Sequence, residues 1–226
     1  MKINVKSLFI GGITFGVVLL LCLHPGKNQQ VDSQQVITGM EEKKKIALTF
    51  DDGPHPIYTE PLLDGLKERQ VPVTFFVTGQ NAVLYPELIN RMNAEGHLVG
   101  NHTYTHLQLT NQNKEKFKKE LILTSEVIEK ILGESPIYVR PPYGSWDKKI
   151  EDELNMFPVL WTIDTLDWNS QNTQKILKRG TCGIEENDII LMHGGYETSV
   201  EAAFLLIEFL QKEGFEFVTV DKLLFG

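Results

Sequence analysis

Cysteine is nearly absent from this chain. Only Cys22 and Cys182 occur, the first inside an apolar run, so no disulfide framework holds the protein together. Cationic excess is missing as well: 22 Lys and Arg stand against 30 Asp and Glu, a formal charge of −8, with no extended basic run. That argues against a nucleic-acid-binding surface or a polybasic lipid-binding face. Internal repeats and low-complexity segments are lacking too. Long apolar runs are scarce, and the one that occurs lies at the amino terminus, uncharged from Ser7 to Leu23 behind Lys2 and Lys6.

That run is shorter than the roughly 20 residues of a comfortable membrane span but long for a secretory core. No small-x-small cleavage site closes it, and Leu21 before Cys22 does not suit a lipoprotein cleavage box. Residues 1–25 are therefore read as an uncleaved signal anchor with its lysines on the cytoplasmic side, a cleaved signal peptide being the alternative. Residues 26–42 are polar and read as a tether. Residues 43–226 remain for one domain with a sizeable core. The domain is expected outside the cytoplasm, held at the membrane or secreted if the leader is cut, and as a monomer.

The stretch that organises this domain is IALTFDDGP, residues 46–54. Ile46, Leu48 and Phe50 read as the packed residues of a buried strand, and Gly53 and Pro54 turn the chain. Asp51 and Asp52 are left at the strand's end, pointing different ways. Alone, Asp-Asp-Gly-Pro is as easily a plain turn. Further on, helix-period segments (58–69, 86–95, 114–132, 147–154, 173–178, 200–213) alternate with short β-rich runs (73–77, 97–100, 136–139, 157–163, 188–192, 215–220). Such alternation predicts parallel strands with helical crossovers, and seven or so units suit a closed or nearly closed barrel. Active sites of such barrels sit at the C-terminal ends of the strands, where each polar motif of this chain falls.

His102 and His106 are four apart, so one helical turn would bring both imidazoles to the same face. Two histidines and one carboxylate make a three-ligand site with an open position, the catalytic form of a zinc site. One of Asp51 and Asp52 would complete it, leaving the other free to accept a proton. Arg140 leaves its strand into Pro141-Pro142, which alone is a rigid turn. It can also hold a carboxylate bidentately, and Tyr143 is then the first residue after it with a backbone donor for an oxyanion. Asp167 beside His193 could keep the imidazole protonated as a general acid. Trp168 and Leu191 would form an apolar pocket of acyl-group size, or simply pack. His24, His55 and His97 lack such company and read as structural or solvent-facing.

Together TFDDGP (49–54), HTYTH (102–106), RPPYG (140–144), DTLDW (164–168) and ILMHG (190–194) resemble the polysaccharide deacetylase family, the NodB-homology carbohydrate esterases. The resemblance implies an α/β fold, a distorted (β/α)7-type barrel, and metal-dependent hydrolysis of acetyl groups on glycans. It implies Asp51 as catalytic base, with Asp52, His102 and His106 holding one divalent ion, Zn²⁺ before Co²⁺ or Ni²⁺. It implies Arg140 as the residue steadying the base, Tyr143 as oxyanion donor, Trp168 and Leu191 as acetyl pocket, and Asp167 and His193 as the acid pair. The expected substrate is N-acetylglucosamine in peptidoglycan or a chitin-like chain. An O-acetyl esterase on xylan or another acetylated glycan, and an inactive carbohydrate-binding relative, are the rivals. Gly194 and Leu107 depart from the family pattern, which often has Asp and Pro there.

Overall fold

A computed structural model describes residues 43–226. The anchor and tether expected over 1–42 lie outside the described residues, and among these no helix is long and apolar enough to cross a membrane. The sheet is built on β1 (Lys44–Asp51), whose last six residues are buried. It pairs in parallel with β2 (Thr74–Val77), with β7 (Ile189–His193) and, at its start, with β8 (Phe215–Phe217). β3 (Leu98–Asn101), β4 (Tyr138–Val139) and β5 (Phe157–Pro158) extend the β2 side, and β6 (Ile163–Asp164) flanks β7. All these pairings are parallel, as the strand–helix alternation predicts, and they bring the strand ends bearing the polar motifs to one rim. The start of β1 is at the opposite end.

The strand path, β5-β4-β3-β2-β1-β7-β6, is open, its edges β5 and β6 unpaired with each other. The expected closed or nearly closed barrel is thus a half-barrel of parallel strands. Its opening falls within 157–163, which the sequence suggests is one strand. The structure splits it because the intervening carbonyls are taken: Val159 and Leu160 accept from the Arg140 guanidinium at 3.1 and 3.0 Å. Carbonyls aimed at a buried guanidinium are not aimed at a neighbouring strand, so the ladder stops there.

Helices cover the sheet as their apolar spacing predicts: α1 (Thr59–Arg69), α3 (Pro86–Ala94), α4 (Lys114–Leu132), α5 (Lys148–Leu154), α6 (Thr173–Thr181) and α7 (Glu197–Lys212). Leu62, Leu63 and Leu66 of α1 and Leu206, Ile207 and Leu210 of α7 pack with β1 and β7 in the largest cluster. Each such side chain, fully buried, contributes roughly 1.5–3 kcal/mol. Two short helices were not apparent from the sequence, α2 (Gly79–Leu84) and α8 (Val220–Phe225). The latter replaces the end of the run expected as strand over 215–220.

Candidate active site

Asp51 ends β1 and Asp52 is the first residue beyond it; there the two part. Asp51 is 4% exposed, whereas Asp52 adopts a left-handed backbone, φ 70°, and its side chain is 48% exposed. Positive φ recurs around the same rim, at Thr103 (61°), His106 (60°), Tyr143 (58°) and Leu166 (51°). For a β-branched threonine that conformation is strained and persists only where its surroundings enforce it. Here Thr103 N–H donates to Asn101 Oδ1 at 2.8 Å, and Thr103 Oγ1 accepts from Leu107 N–H at 3.0 Å. Asn101 is itself fixed, its amide donating to the Leu121 carbonyl at 2.8 Å.

This clamp corrects the expected route by which the histidines meet. Residues 102–109 contain no helix. The left-handed turns at Thr103 and His106 fold the loop so that the two rings lie 4.9 Å apart. His102 Nδ1 meets the Arg140 carbonyl at 2.6 Å. A carbonyl only accepts, so that nitrogen carries a proton and Nε2 is left to face outward. The Nε2 atoms of His102 and His106 each lie 3.5 Å from the same oxygen of Asp52. Those distances are long for hydrogen bonds. They match ligand atoms around one ion, since donors about 2.1 Å from a tetrahedral centre stand about 3.4 Å apart. All three ligand atoms fall within 4.8 Å of one another, so Asp52, His102 and His106 fit a divalent cation. Burial alone would raise the Asp52 carboxyl, but His102, with His106 and His193 behind it, holds it below the ordinary value. Burial likewise lowers His106, favouring the neutral imidazole that can ligate.

Behind this set, Arg140 is fully buried and spends its donors inward. Nη1 donates to Asp51 Oδ1 at 2.9 Å and to Thr49 Oγ1 at 2.6 Å. The expected two-pronged grip on the carboxylate is therefore one-pronged, because Nε and Nη2 hold the Val159 and Leu160 carbonyls. The Phe76 ring covers the guanidinium at 4.3 Å. Tyr143 sits in the single 3-10 turn Pro142–Gly144, its ring edge-on to His106 at 4.9 Å.

On the other side, Asp167 is also fully buried. It accepts from His193 Nδ1 at 2.8 Å, from the His193 backbone N–H at 2.7 Å, from Ser199 Oγ at 2.7 Å and from Trp168 N–H at 3.0 Å. Burial alone would lower the His193 pKa, but the bond and charge of Asp167 outweigh it and raise it. Asp51 and His193 are register partners on β1 and β7, so a carboxyl and an imidazole stand on neighbouring strands at the same level.

Eight of the residues singled out from the sequence line one cleft of about 290 Å³, all but Arg140 and Asp167, which lie buried behind it. Leu191 is buried in its wall, whereas Trp168 is 52% exposed and belongs to the rim. Residues 38–160 match the family described as polysaccharide deacetylase. The chain belongs to that family. Among similar polysaccharide deacetylases, the peptidoglycan-N-acetylmuramic acid deacetylase PdaC of Bacillus subtilis is 39% identical over 87% of this chain and 40% of its own length. The peptidoglycan-N-acetylglucosamine deacetylase PgdA of Listeria monocytogenes is 37% identical over 80% of this chain and 39% of its own. The chain thus spans about two fifths of the length of these curated relatives. The solved structure of B. subtilis PdaC superposes with a TM-score of 0.77 at 40% identity, covering 80% of this chain and 90% of that one.

Three residues at the site escaped sequence reasoning. Thr49 bridges Arg140 and the Ile190 carbonyl, but inside an apolar strand it reads as packing. Ser199 lies on α7, 32 residues beyond the aspartate it serves. Trp161 lines the cleft and stands 5.8 Å from Arg140, yet falls in a run that reads as strand interior.

Proposed function

We propose that this chain hydrolyses N-acetyl groups from N-acetylglucosamine units of a cell-wall glycan, peptidoglycan or a chitin-like chain, and releases acetate. The observation that carries the reading is the assembly of Asp51–Arg140 and His193–Asp167 around the Asp52/His102/His106 set in one cleft. A divalent cation, Zn²⁺ first and Co²⁺ or Ni²⁺ in its place, would polarise the acetamide carbonyl and acidify a water. Asp51, aimed by Arg140, takes the proton from the attacking water. Tyr143 offers its backbone N–H to the developing oxyanion from a stiff Pro-Pro support. His193, with Nδ1 on Asp167, turns Nε2 to the departing amine and gives it a proton. Leu191 and Trp168 take the acetyl methyl.

Support for peptidoglycan comes from the relatives, one named for N-acetylmuramic acid and one for N-acetylglucosamine. The test is mass spectrometry of muropeptides, chitin oligomers and acetylated xylan after incubation with the protein, with and without a chelator. Loss of acetyl from glucosamine units, abolished by the chelator and restored by Zn²⁺, is expected. Loss confined to muramic acid would move the substrate to the other sugar, and loss confined to xylan would make the protein an O-acetyl esterase. Binding of the glycans without acetate release by the metal-loaded protein would leave a carbohydrate-binding relative. The domain is proposed to act outside the cytoplasm on a membrane anchor formed by residues 1–25. An amino terminus found between Cys22 and Gln35 would instead mean a cleaved, secreted protein.

A further inference from the structure

Among the described residues, the buried Asp, Glu and Arg side chains are Asp51, Glu120, Arg140 and Asp167. Asp51 pairs with Arg140, and Asp167 with His193. Glu120, 6% exposed on the inner face of α4, has no cation at ion-pair distance among the described residues. An anion taken out of water without a counter-charge is costly unless its oxygens are hydrogen-bonded. Glu120 spends both oxygens on one residue, Thr105. Oε2 accepts the Thr105 N–H at 2.9 Å, and the Thr105 hydroxyl donates to Oε1 at 2.9 Å. Thr105 is itself exposed, so packing does not explain the contact. Nor does Glu120 line the cleft, so it touches no substrate.

Thr105 lies in the loop between the two histidines, and that loop is held from outside. Gly79 and Gln80, at the start of α2, donate to the Thr103 and Tyr104 carbonyls at 3.0 and 3.1 Å. Asn101 takes the Thr103 N–H, and Glu120 the Thr105 N–H. α2 and α4 meet closely here: a Cβ on Gly79 would stand 2.6 Å from Thr124 Oγ1, and that hydroxyl donates to the Glu120 carbonyl at 2.9 Å. The carboxylate therefore acts from a rigid base.

The two imidazoles differ in what aims them. A metal-ligating histidine is ordinarily fixed through its second nitrogen. His102 is so fixed, by the Arg140 carbonyl. The His106 ring meets Tyr143 edge-on and, among the described residues, has no hydrogen bond of that kind. Its aim depends on the left-handed turn at φ 60°, immediately after Thr105. We propose that Glu120 is a positioning residue for the metal site: by gripping Thr105 at two points it enforces that turn and points His106 at the ion. The inference rests on the metal site of the proposed function and deepens it, since affinity for the ion is then set partly from α4.

The test is calorimetric titration of the chelator-treated protein with Zn²⁺ and with Co²⁺. The dissociation constant is fitted separately from the number of sites, so misfolded protein lowers the second and not the first. Glu120→Ala should weaken binding about 10–100-fold. Glu120→Gln, whose Oε1 can still accept the Thr105 N–H, should stay within about threefold of the wild type. Thr105→Ala, on the exposed loop, removes the hydroxyl alone and should weaken binding about threefold to tenfold, which decides the matter if Glu120→Ala does not fold. An unchanged dissociation constant in Thr105→Ala and in any folded Glu120→Ala overturns the inference and leaves the metal site standing. So does a Glu120→Gln as weak as Glu120→Ala, since the charge and not the grip on Thr105 would then be what acts. A wild type that binds neither ion overturns the metal reading itself, and the inference with it.

Discussion

Asp51 and His193 are neighbours across β1 and β7, yet the protein holds them by opposite devices. At Asp51 the group facing the cleft is the anion and its keeper is a cation; at His193 the polarities are exchanged. In both pairs the keeper is the more deeply buried member, with Arg140 and Asp167 each fully enclosed. Both keepers are anchored well beyond the partner they hold. Arg140 is tied to Thr49, Val159 and Leu160, and Asp167 to Ser199 and two backbone N–H groups. A buried charge is tolerable only when paired and bonded on its remaining positions. The cost of placing each charge is thus met inside the fold, and the working group is left free on one side.

The largest effects should come from removing the working groups. Asp51→Asn should lower glycan deacetylation by about 10²–10⁴-fold and lower aryl acetate hydrolysis alike, since both need a proton taken from water. The metal content of the purified variant should stay at the wild-type level, whereas Asp52→Asn, His102→Ala or His106→Ala should empty the site. If Asp51→Asn emptied it and Asp52→Asn did not, the two roles would be exchanged. His193→Ala should differ. An amine departs only once protonated, while an alkoxide or phenoxide needs less help, so amide hydrolysis should fall by about 10²–10⁴-fold and aryl acetate hydrolysis far less. Equal losses on both substrates would make His193 a positioning residue.

Next come the keepers. Arg140→Met strands Asp51 without its cation and should destabilise the fold by about 3–5 kcal/mol in denaturant titration. Asp167→Asn keeps the shape and loses the charge. His193 then loses the influence that raises its pKa, so the alkaline limb of the pH–rate profile should move to lower pH. The same shift has a stability side. A histidine whose folded pKa lies above its unfolded one stabilises the fold fully below about pH 6.5 and loses that contribution as pH rises through the folded value. Asp167→Asn should therefore flatten the dependence of stability on pH in that window. The smallest effect belongs to Ser199→Ala, which leaves Asp167 three of its four hydrogen bonds and should cost about 1 kcal/mol. A loss as large as that of Asp167→Asn would mean that Ser199, not the backbone, fixes the carboxylate.

The contrast also shows which parts of the site can be read in a chain. Asp51, Asp52, His102, His106 and His193 stand at strand ends or just past them, where a change from apolar to polar residues marks them. Arg140 was equally visible, but its one-pronged contact with Asp51 was not, because the competing acceptors Val159 and Leu160 lie in a run with ordinary strand composition. For the same reason the break between β5 and β6 was hidden: it arises from a long-range bond, not from a local breaker. His102 and His106 meet as expected but by a different route, since four-residue spacing is shared by a helical turn and by a loop with two left-handed residues. Ser199 carries no local signal at all. Its role depends on the position of α7 over β7, which only the assembled fold provides.

β1 has one further consequence. The described chain begins at one end of this strand and delivers Asp51 at the other, seven residues and about 23 Å from Lys44. The cleft therefore opens at the end of β1 away from Lys44, so a partner held at the strand's start leaves it uncovered. If residues 1–25 anchor the protein, as proposed, the stretch between them and β1 would act as a radius, setting how far into the wall an acetyl group can stand and still be reached.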